Sequence, residues 1–230
     1  MFTRALRRTA GSVRRRLAGK PWQGVQAEQS MLRMGNDYGG YFVCPEGLDA
    51  GSVVYSFGIG EDISFDRAMI ERFGVTIHAF DPTPRSIEWV RTQDVKALVL
   101  HEYGLADYDG AASFTSPENP EHISHTLLPR EGATRERVEV EVRRLSTIAR
   151  ELGHERIDVL KMDIEGAEYG VIEDLLASGM PIRQILMEFH HHLPGVPLLR
   201  TERAITELNR AGYRIFDASD SGHEFSFIRA

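Results

Sequence analysis

The fold class is decided by the stretch VYSFGIG, residues 54–60. Its first four residues are typical of a buried strand, and the two glycines let the backbone turn sharply after that strand. A helix is predicted next over residues 64–73, because large apolar side chains recur there at a spacing of four and Gly74 follows. A strand, a glycine turn and a helix in this order are typical of the start of a parallel sheet.

Apolar runs and helical patterns alternate along most of the remaining chain. Further strands are predicted at residues 75–80, 95–100, 157–162 and 182–189, and further helices at 84–91, 145–152, 167–177 and 201–211. Thr201 is the expected N-cap of the last of these helices. The alternation predicts an α/β fold in which a mostly parallel sheet is covered by helices on both faces.

Two parts of the chain break this alternation. Residues 111–115 and 137–143 both look like strands, and the second alternates valines with charges, which suits a half-exposed antiparallel strand. We interpret residues 116–134, between them, as a loop insertion, and a loop of that length in a compact domain is usually either functional or disordered. The closing strands at 213–216 and 224–228 have no helix between them, which predicts an antiparallel final pair.

Length and charge limit the classes of protein that are compatible with this chain. It has 230 residues, of which 42% are apolar, and this suits one domain with additions. We predict a basic tail at 1–20, a lead-in at 21–51 and the main domain at 52–230. The tail has seven basic residues and no acid, so the net charge of −7 for the whole chain leaves −14 on the rest. An acidic body is a poor nucleic-acid binder, because phosphate contacts need Lys and Arg.

Three interpretations of the basic tail stay open. It lacks the continuous apolar region of a secretory signal, but it could be a packed or solvated terminus, a segment attracted to anionic lipid head groups, or an organellar presequence. The sequence has no run of about 18 apolar residues that could span a membrane. The single cysteine, Cys44, excludes an intrachain disulfide and fits a reducing compartment. We therefore expect a cytoplasmic location, at the membrane periphery if the tail binds lipid.

The residues that follow the first two strands predict the type of cofactor. Ligands of such sheets bind outside the carboxyl ends of the strands. Asp81 lies 23 residues after Gly58, and an acid at about that distance can accept hydrogen bonds from ribose hydroxyls. A dinucleotide is disfavoured, because Ile63 replaces a third glycine and Glu61 and Asp62 would repel a pyrophosphate. An adenosine ligand without phosphate is predicted, with S-adenosylmethionine (SAM) as the obvious choice.

Three acidic residues follow the strand at 157–162. Glu165 and Glu168 suit the N-terminus of the next helix, where negative charge is favourable. Asp163 is not explained in this way, since it should lie at the tip of the strand. We expect its side chain to face the ligand cleft.

The strand at 182–189 ends in a carboxylate and three histidines. Strand alternation places Glu188, His190 and His192 on one face. If Asp163, Glu188 and His190 converge, they could hold Mg²⁺ or another divalent metal, or they could move protons. A polar strand end with partly solvated histidines is the alternative.

Three motifs together resemble the FkbM family of SAM-dependent methyltransferases. They are the stretch 54–60, the step Phe80-Asp81-Pro82 and the run KMDIEGAE at 161–168. The resemblance covers about residues 39–228. It implies a Rossmann-like class I methyltransferase fold, with a seven-stranded sheet that has one antiparallel strand near its C-terminal end. It also implies O-methylation, often of a sugar or natural-product hydroxyl.

The resemblance also implies a set of SAM contacts. They are Phe57, Gly58 and Gly60 for the methionine moiety, Asp81 and Pro82 for the ribose, Gly104, Leu105 and Ala106 for the adenine, and Asp163 for the methyl group. Asp62 is a departure from the family's pattern, because many class I enzymes have a third glycine two residues after the one equivalent to Gly60. We therefore expect the turn to be built differently here.

The implied reaction is an in-line displacement, in which an acceptor oxygen of a small molecule or glycan attacks the sulfonium methyl. Alignment supplies much of the catalysis, and a weak hydroxyl nucleophile gains from a base or a metal. The candidates are Asp163, His190 and His125, the last in a loop that we expect to close over the acceptor.

Two alternatives to this function remain. The first is a nucleotide-dependent oxidoreductase, against which Ile63, Glu61 and Asp62 argue. The second is a non-catalytic SAM-binding module, which would not need both Asp81 and Asp163.

Overall fold

The computed structural model describes residues 14–115 and 137–229. The strands are β1 (Leu32–Met34), β2 (Tyr41–Val43), β3 (Val54–Phe57), β4 (Ile77–Phe80), β5 (Leu98–His101), β6 (Gly104–Leu105), β7 (Gly110–Thr115), β8 (Arg137–Arg143), β9 (Ile157–Met162), β10 (Ile182–Glu188), β11 (Tyr213–Ala218) and β12 (Glu224–Arg229). The helices are α1 (Ser64–Phe73), α2 (Pro84–Arg91), α3 (Leu145–Leu152), α4 (Glu168–Ser178) and α5 (Leu198–Arg210).

Seven strands form the central sheet, in the order β11-β12-β10-β9-β3-β4-β5. The pairs from β10 to β5 are parallel, whereas β12 runs antiparallel to both β10 and β11. The prediction of a mostly parallel seven-stranded sheet with an antiparallel strand near the C-terminus is therefore confirmed. The class I methyltransferase arrangement implied by the resemblance has the same features.

The centre of the sheet is buried on both faces. Every residue of β3 and β9 is buried, and successive side chains of β3 enter two different apolar clusters. Tyr55 and Phe57 face α3, α4 and α5, whereas Val54 faces the side covered by α1. This division follows from the two-residue period of a strand and confirms the helices on both faces.

Two small sheets flank the central one. The lead-in forms the antiparallel pair β1–β2, and its Tyr41 and Val43 join the cluster on the α1 side. The antiparallel pair β7–β8 is extended by β6, which pairs in parallel with β8. Residues 104–105, which follow the third predicted strand, are therefore held in a sheet beside the central one.

Helix α5 begins earlier than the sequence predicted. Its N-cap is Pro197, and Thr201 lies buried inside the helix with its hydroxyl 2.9 Å from the Tyr169 hydroxyl. The prediction of Thr201 as N-cap is therefore wrong. The physical reason is that Pro197, with its fixed φ and extended backbone, can start the helix without a side-chain cap.

Part of the predicted organisation lies outside the described residues. This applies to residues 1–13 of the basic tail, to the loop insertion at 116–134 and to His125. In the described part of the tail, Arg16 forms a 3.2 Å ion pair with Glu202 of α5. Among the described helices, none has the length and apolar character needed to cross a membrane.

Candidate active site

A cavity of about 1560 Å³ opens at the carboxyl ends of β3, β4, β9 and β10. This is where the sequence predicted ligand binding. The volume exceeds the roughly 300–1000 Å³ of an ordinary small-molecule pocket, so two ligands can fit side by side. We call the part lined by residues 57–63 and 80–83 the turn end, and the part lined by residues 163–165, Glu188 and His190 the acid end.

Gly58 lies at the centre of the turn end. Its φ is +74°, and a Cβ added there would lie 1.7 Å from the carbonyl oxygen of Asp163. Its N–H donates to the Phe80 carbonyl at 3.0 Å, and its own carbonyl accepts from Lys161 Nζ at 3.1 Å. The predicted glycine turn is present, and its conformation and packing require glycine at this position.

Asp81 holds the turn from the end of β4. One carboxylate oxygen accepts from the N–H groups of Ile59 and Gly60 at 3.1 and 3.0 Å. The other accepts from the N–H and the hydroxyl of Thr83 at 2.9 and 2.6 Å. A carboxylate has about four acceptor sites, and all are used here, so a ribose hydroxyl would have to replace one of these donors. The structure thus gives Asp81 a role in positioning the turn, and its contact with the ribose stays a prediction.

Stacked aromatic rings support the turn end from the core. Phe57 and Phe80 stack with their centroids 4.2 Å apart and their planes at 13°. Phe80 also stacks with His101 at 4.5 Å, so both faces of its ring are covered. Both residues line the cavity, but their side chains are buried and form an apolar support beneath the turn.

The three residues predicted beside the adenine do not all reach the cavity. Gly104 and Leu105 line it together with Pro82, whereas Ala106 packs in the cluster of the small three-stranded sheet. Successive residues of an extended chain point to opposite sides, so Ala106 faces away when Leu105 faces the central sheet. The prediction of an adenine contact for Ala106 is therefore corrected.

Asp62 connects the turn to the lead-in. Its Oδ1 accepts from the Ser64 N–H at 2.7 Å at the start of α1, and its Oδ2 accepts from Asn36 Nδ2 at 2.8 Å. The Asn36 amide oxygen in turn accepts from the N–H groups of Tyr38 and Gly39, both at 2.8 Å. The residue that departs from the family's glycine pattern thus fastens a second loop to the cavity mouth.

His190 is the centre of the acid end. Its Nε2 lies 3.4 Å from Asp163 Oδ1 and 3.6 Å from Glu165 Oε2, and its Nδ1 lies 3.4 Å from Glu168 Oε1. Both His190 and Glu168 are buried, and Glu168 also accepts from the His190 backbone N–H at 2.8 Å. Three carboxylates therefore face one imidazole, and both ring nitrogens are directed at acids.

This environment fixes the charge of His190. Burial alone would lower the pKa of His190, but its interactions with Asp163, Glu168 and Glu165 outweigh burial and raise it to about 11. The raised pKa favours the imidazolium, which has no lone pair to accept a proton or ligate a metal. The structure thus gives His190 an ion-pairing role, and its roles as base or metal ligand stay predictions.

Asp163 and Glu188 differ in charge although both line the cavity. Burial opposes ionisation of Asp163, but the hydrogen bond of His190 and the charge of Lys161 lower its pKa. Burial and the negative charge of Asp163 raise the pKa of Glu188 to about 8. Two carboxylates with pKa values on opposite sides of neutrality are a pattern found at catalytic sites.

The predicted metal set is not the one that the structure brings together. Asp163, Glu165 and His190 place potential ligand atoms within 4.8 Å of one another, so Glu165 stands where Glu188 was predicted. Glu165 has a φ of +50°, which is uncommon for a residue other than glycine and turns the chain back after the strand. The alternation of side chains along a strand could not predict the contact of Glu165 with His190, because that contact depends on the backbone turn at Glu165.

The comparisons with known proteins agree with this geometry. The sequence profile of the family described as methyltransferase FkbM domain matches residues 52–215. The chain belongs to the FkbM methyltransferase family. Its central unit is therefore an FkbM-type methyltransferase domain.

Individual relatives of this FkbM-family chain are distant. It is 28% identical over 173 residues to "Probable methyltransferase-like protein 24" of Rattus norvegicus, a match covering 71% of this chain and 42% of that protein. It is 26% identical to "31-O-demethyl-FK506 methyltransferase FkbM" of Streptomyces tacrolimicus, covering 62% of this chain and 67% of that protein.

A solved structure supports the fold of the FkbM-type domain. The crystal structure of methyltransferase FkbM from Methylobacillus flagellatus KT matches with a TM-score of 0.50 at 14% identity, covering 79% of this chain and 44% of that chain. At this identity the likeness bears on the fold alone. The chain spans less than half of the rat relative, so the match does not extend to that whole protein.

Proposed function

We propose that this domain binds SAM at the turn end of the cavity and transfers its methyl group to a hydroxyl of a small-molecule or glycan acceptor at the acid end. The observation that carries the proposal is a large cavity among the described residues, in which a glycine turn and a carboxyl of raised pKa both face the same space. Membership of a methyltransferase family supplies the reaction class.

The residues of the turn end fit SAM. Gly58 lets the turn pack closely against the Asp163 backbone, where an added Cβ would lie 1.7 Å from the carbonyl oxygen, and Gly104 packs close to Pro82, 3.1 Å from an added Cβ. The nearby carboxylates suit a cationic cofactor better than a pyrophosphate. When bound, SAM supplies an electrophilic methyl group on a positively charged sulfonium.

Glu188 is the best proton acceptor in the acid end. A general base works best when its pKa lies near the working pH, and the pKa of Glu188 is raised to about 8. Asp163, kept ionised by His190 and Lys161, then serves as a fixed acceptor that orients the hydroxyl. These roles replace the sequence-based choice of His190 as base.

The charges of the acid end favour a neutral or cationic acceptor. Asp163, Glu165, Glu188, Asp217 and Glu224 line this region of the cavity. An acceptor carrying phosphate would be repelled, whereas a polyol can donate hydrogen bonds to carboxylates. The name of the Streptomyces relative, which refers to a 31-O-demethyl compound, supports an oxygen as the methylated atom.

The proposal is independent of a metal. The ion pairs of His190 Nε2 with Asp163 and Glu165 can hold this group together without a metal ion. Chelator is therefore expected to leave activity unchanged. Inactivation by chelator and recovery with Mg²⁺ would restore the metal hypothesis.

Methyl transfer tests the proposal directly. The protein is incubated with SAM carrying a labelled methyl group and a panel of polyol, macrolide and amine acceptors. We expect label only in hydroxylated products, with strong loss in Glu188→Gln and Asp163→Asn and little change in S-adenosylhomocysteine affinity. Transfer to amines but not to hydroxyls would contradict O-methylation.

The cytoplasmic location and the contact of the basic tail with anionic lipid stay predictions. Deleting residues 1–20 is expected to leave cofactor affinity unchanged, since none of residues 14–20 lines the cavity, although Lys20 donates to the carbonyl of the cavity-lining Asp220.

A further inference from the structure

We propose that Lys161 is a positioning residue, whose ammonium group fixes the glycine turn in the conformation that binds the cofactor. The inference rests on the proposed SAM binding at the turn end. It concerns a residue that belongs to the run KMDIEGAE but was given no role there. Lys161 is 5% exposed, and its Nζ donates to the Gly58 carbonyl at 3.1 Å.

The bond to Gly58 is one of three restraints on the same residue. The Gly58 N–H is held by the Phe80 carbonyl, and its Cα lies too close to the Asp163 backbone to allow a Cβ. The next two N–H groups of the turn are held by Asp81. The turn is therefore held by Asp81, which accepts hydrogen bonds from its N–H groups, and by Lys161, which donates one to its carbonyl. Without Lys161 the Gly58 carbonyl would lose its donor, and the peptide plane could rotate.

A second buried titratable group interacts with the ammonium of Lys161. Asp66 of α1 is 1% exposed, and burial raises the pKa of its carboxyl, while the charge of Lys161 and the hydroxyl of Ser56 oppose that shift. Ser56 pairs with Lys161 in the register of β3 and β9. Lys161 thus lies where β3, β9 and α1 meet beneath the turn, with the Tyr41 ring 6.0 Å from its Nζ.

Two roles of Lys161 can be separated by mutation. If Lys161 only compensates the charge of Asp66, removing both charges should restore the protein completely. If it positions the turn, the double variant should regain stability but not cofactor affinity, because the Gly58 carbonyl still lacks its donor.

The test measures S-adenosylhomocysteine binding by calorimetry and thermal unfolding on the full chain. The variants are Lys161→Met, Lys161→Met with Asp66→Asn, and Lys96→Met as an exposed control outside the cavity lining. We expect affinity to fall roughly tenfold or more in both Lys161 variants, as for the loss of a hydrogen bond from a charged donor. The double variant should unfold at a higher temperature than Lys161→Met, and Lys96→Met should bind like the wild type.

Each outcome decides between the two roles. Wild-type affinity in Lys161→Met, or in the double variant if the single one does not fold, would overturn the positioning role and leave the proposed function intact. A wild-type protein that binds no S-adenosylhomocysteine would overturn the proposed function first, and the inference with it.

Discussion

The two ends of the cavity differ in how their polar groups are satisfied. At the turn end, Asp81 and Lys161 bind the backbone groups of residues 58–60, so the turn is held in place by the protein itself. At the acid end, several carboxylates share one imidazolium, and Glu188 is left with a raised pKa. The turn end is therefore organised by hydrogen bonds to its backbone, and the acid end by the charges of its side chains. A turn that is already held in place suits a cofactor that is the same in every reaction, whereas the carboxylates of the acid end suit proton transfer from different acceptors.

The largest effect is expected from Gly58→Ala, which disrupts the backbone of the turn end. A Cβ would lie 1.7 Å from the Asp163 carbonyl oxygen, so the turn must move and S-adenosylhomocysteine binding should be lost in calorimetry. Gly153→Ala is the matched control, because Gly153 has nearly the same φ of +73° and no atom within 4 Å of the added Cβ. It should cost about 1–2 kcal/mol of unfolding free energy without loss of binding. Equal affinity of Gly58→Ala and Gly153→Ala for S-adenosylhomocysteine would show that binding does not depend on a fixed turn at Gly58.

His190→Gln removes the imidazole at the centre of the acid end. The variant leaves buried Glu168 without its cation, and removing one partner of a buried ion pair costs about 3–5 kcal/mol of unfolding free energy. The sign of the pH dependence follows from a folded-state pKa of about 11, which is above the unfolded value of about 6.5. The contribution of His190 is complete below about pH 6.5 and is lost as the pH rises toward 11.

Urea unfolding at pH 6 and pH 10 checks this prediction. The difference in unfolding free energy between the wild type and His190→Gln should be large at pH 6 and smaller at pH 10. A constant difference would mean that His190 is not held as an imidazolium.

Asp81→Ala tests whether Asp81 holds the turn end in the conformation that binds the cofactor. The variant loses the acceptor for the N–H groups of Ile59 and Gly60, and we expect S-adenosylhomocysteine affinity to fall by about 1.5–3 kcal/mol, typical of charge-assisted bonds. The measurement is calorimetry with S-adenosylhomocysteine, and Asp107→Ala, at an exposed position outside the cavity lining, is the control. Unchanged affinity in Asp81→Ala would remove Asp81 from the site.

The smallest effect concerns Glu188 and separates cationic SAM from its neutral product. The pKa of Glu188 is raised to about 8, so its carboxyl gains negative charge as the pH rises through that value. The affinity for SAM relative to S-adenosylhomocysteine should therefore rise a few-fold between pH 7 and pH 9. The ratio should stay flat in Glu188→Gln. A flat ratio in the wild type would place Glu188 away from the transferred methyl group.

The sequence predicted local elements better than contacts between them. Helix α1 has the predicted bounds, because its apolar spacing and the left-handed Gly74 act within the helix itself. The position of Asp81 at the end of a strand was predicted as well. Its hydrogen bonds were not predicted, because their donors, Ile59 and Gly60, lie 22 and 21 residues earlier in the chain. The contact of Glu165 with His190 depends on a positive φ that no local pattern showed.

The misplaced predictions have related causes. The resemblance implied an adenine contact for Ala106, but this residue continues from β6, so strand alternation directs it away from the cavity. His190 was predicted to converge with Asp163 and Glu188, but the sequence did not show the carboxylates on both sides of its ring. Its charge depends on Glu168, which lies in another element and is fully buried beside it.

The central claim is that the turn end binds SAM. The most direct measurement is a calorimetric titration of the wild-type protein with S-adenosylhomocysteine and, separately, with NADH. The account predicts saturable binding of S-adenosylhomocysteine with one site per chain and no heat of binding for NADH. Binding of NADH without binding of S-adenosylhomocysteine would contradict it and favour a nucleotide-dependent oxidoreductase.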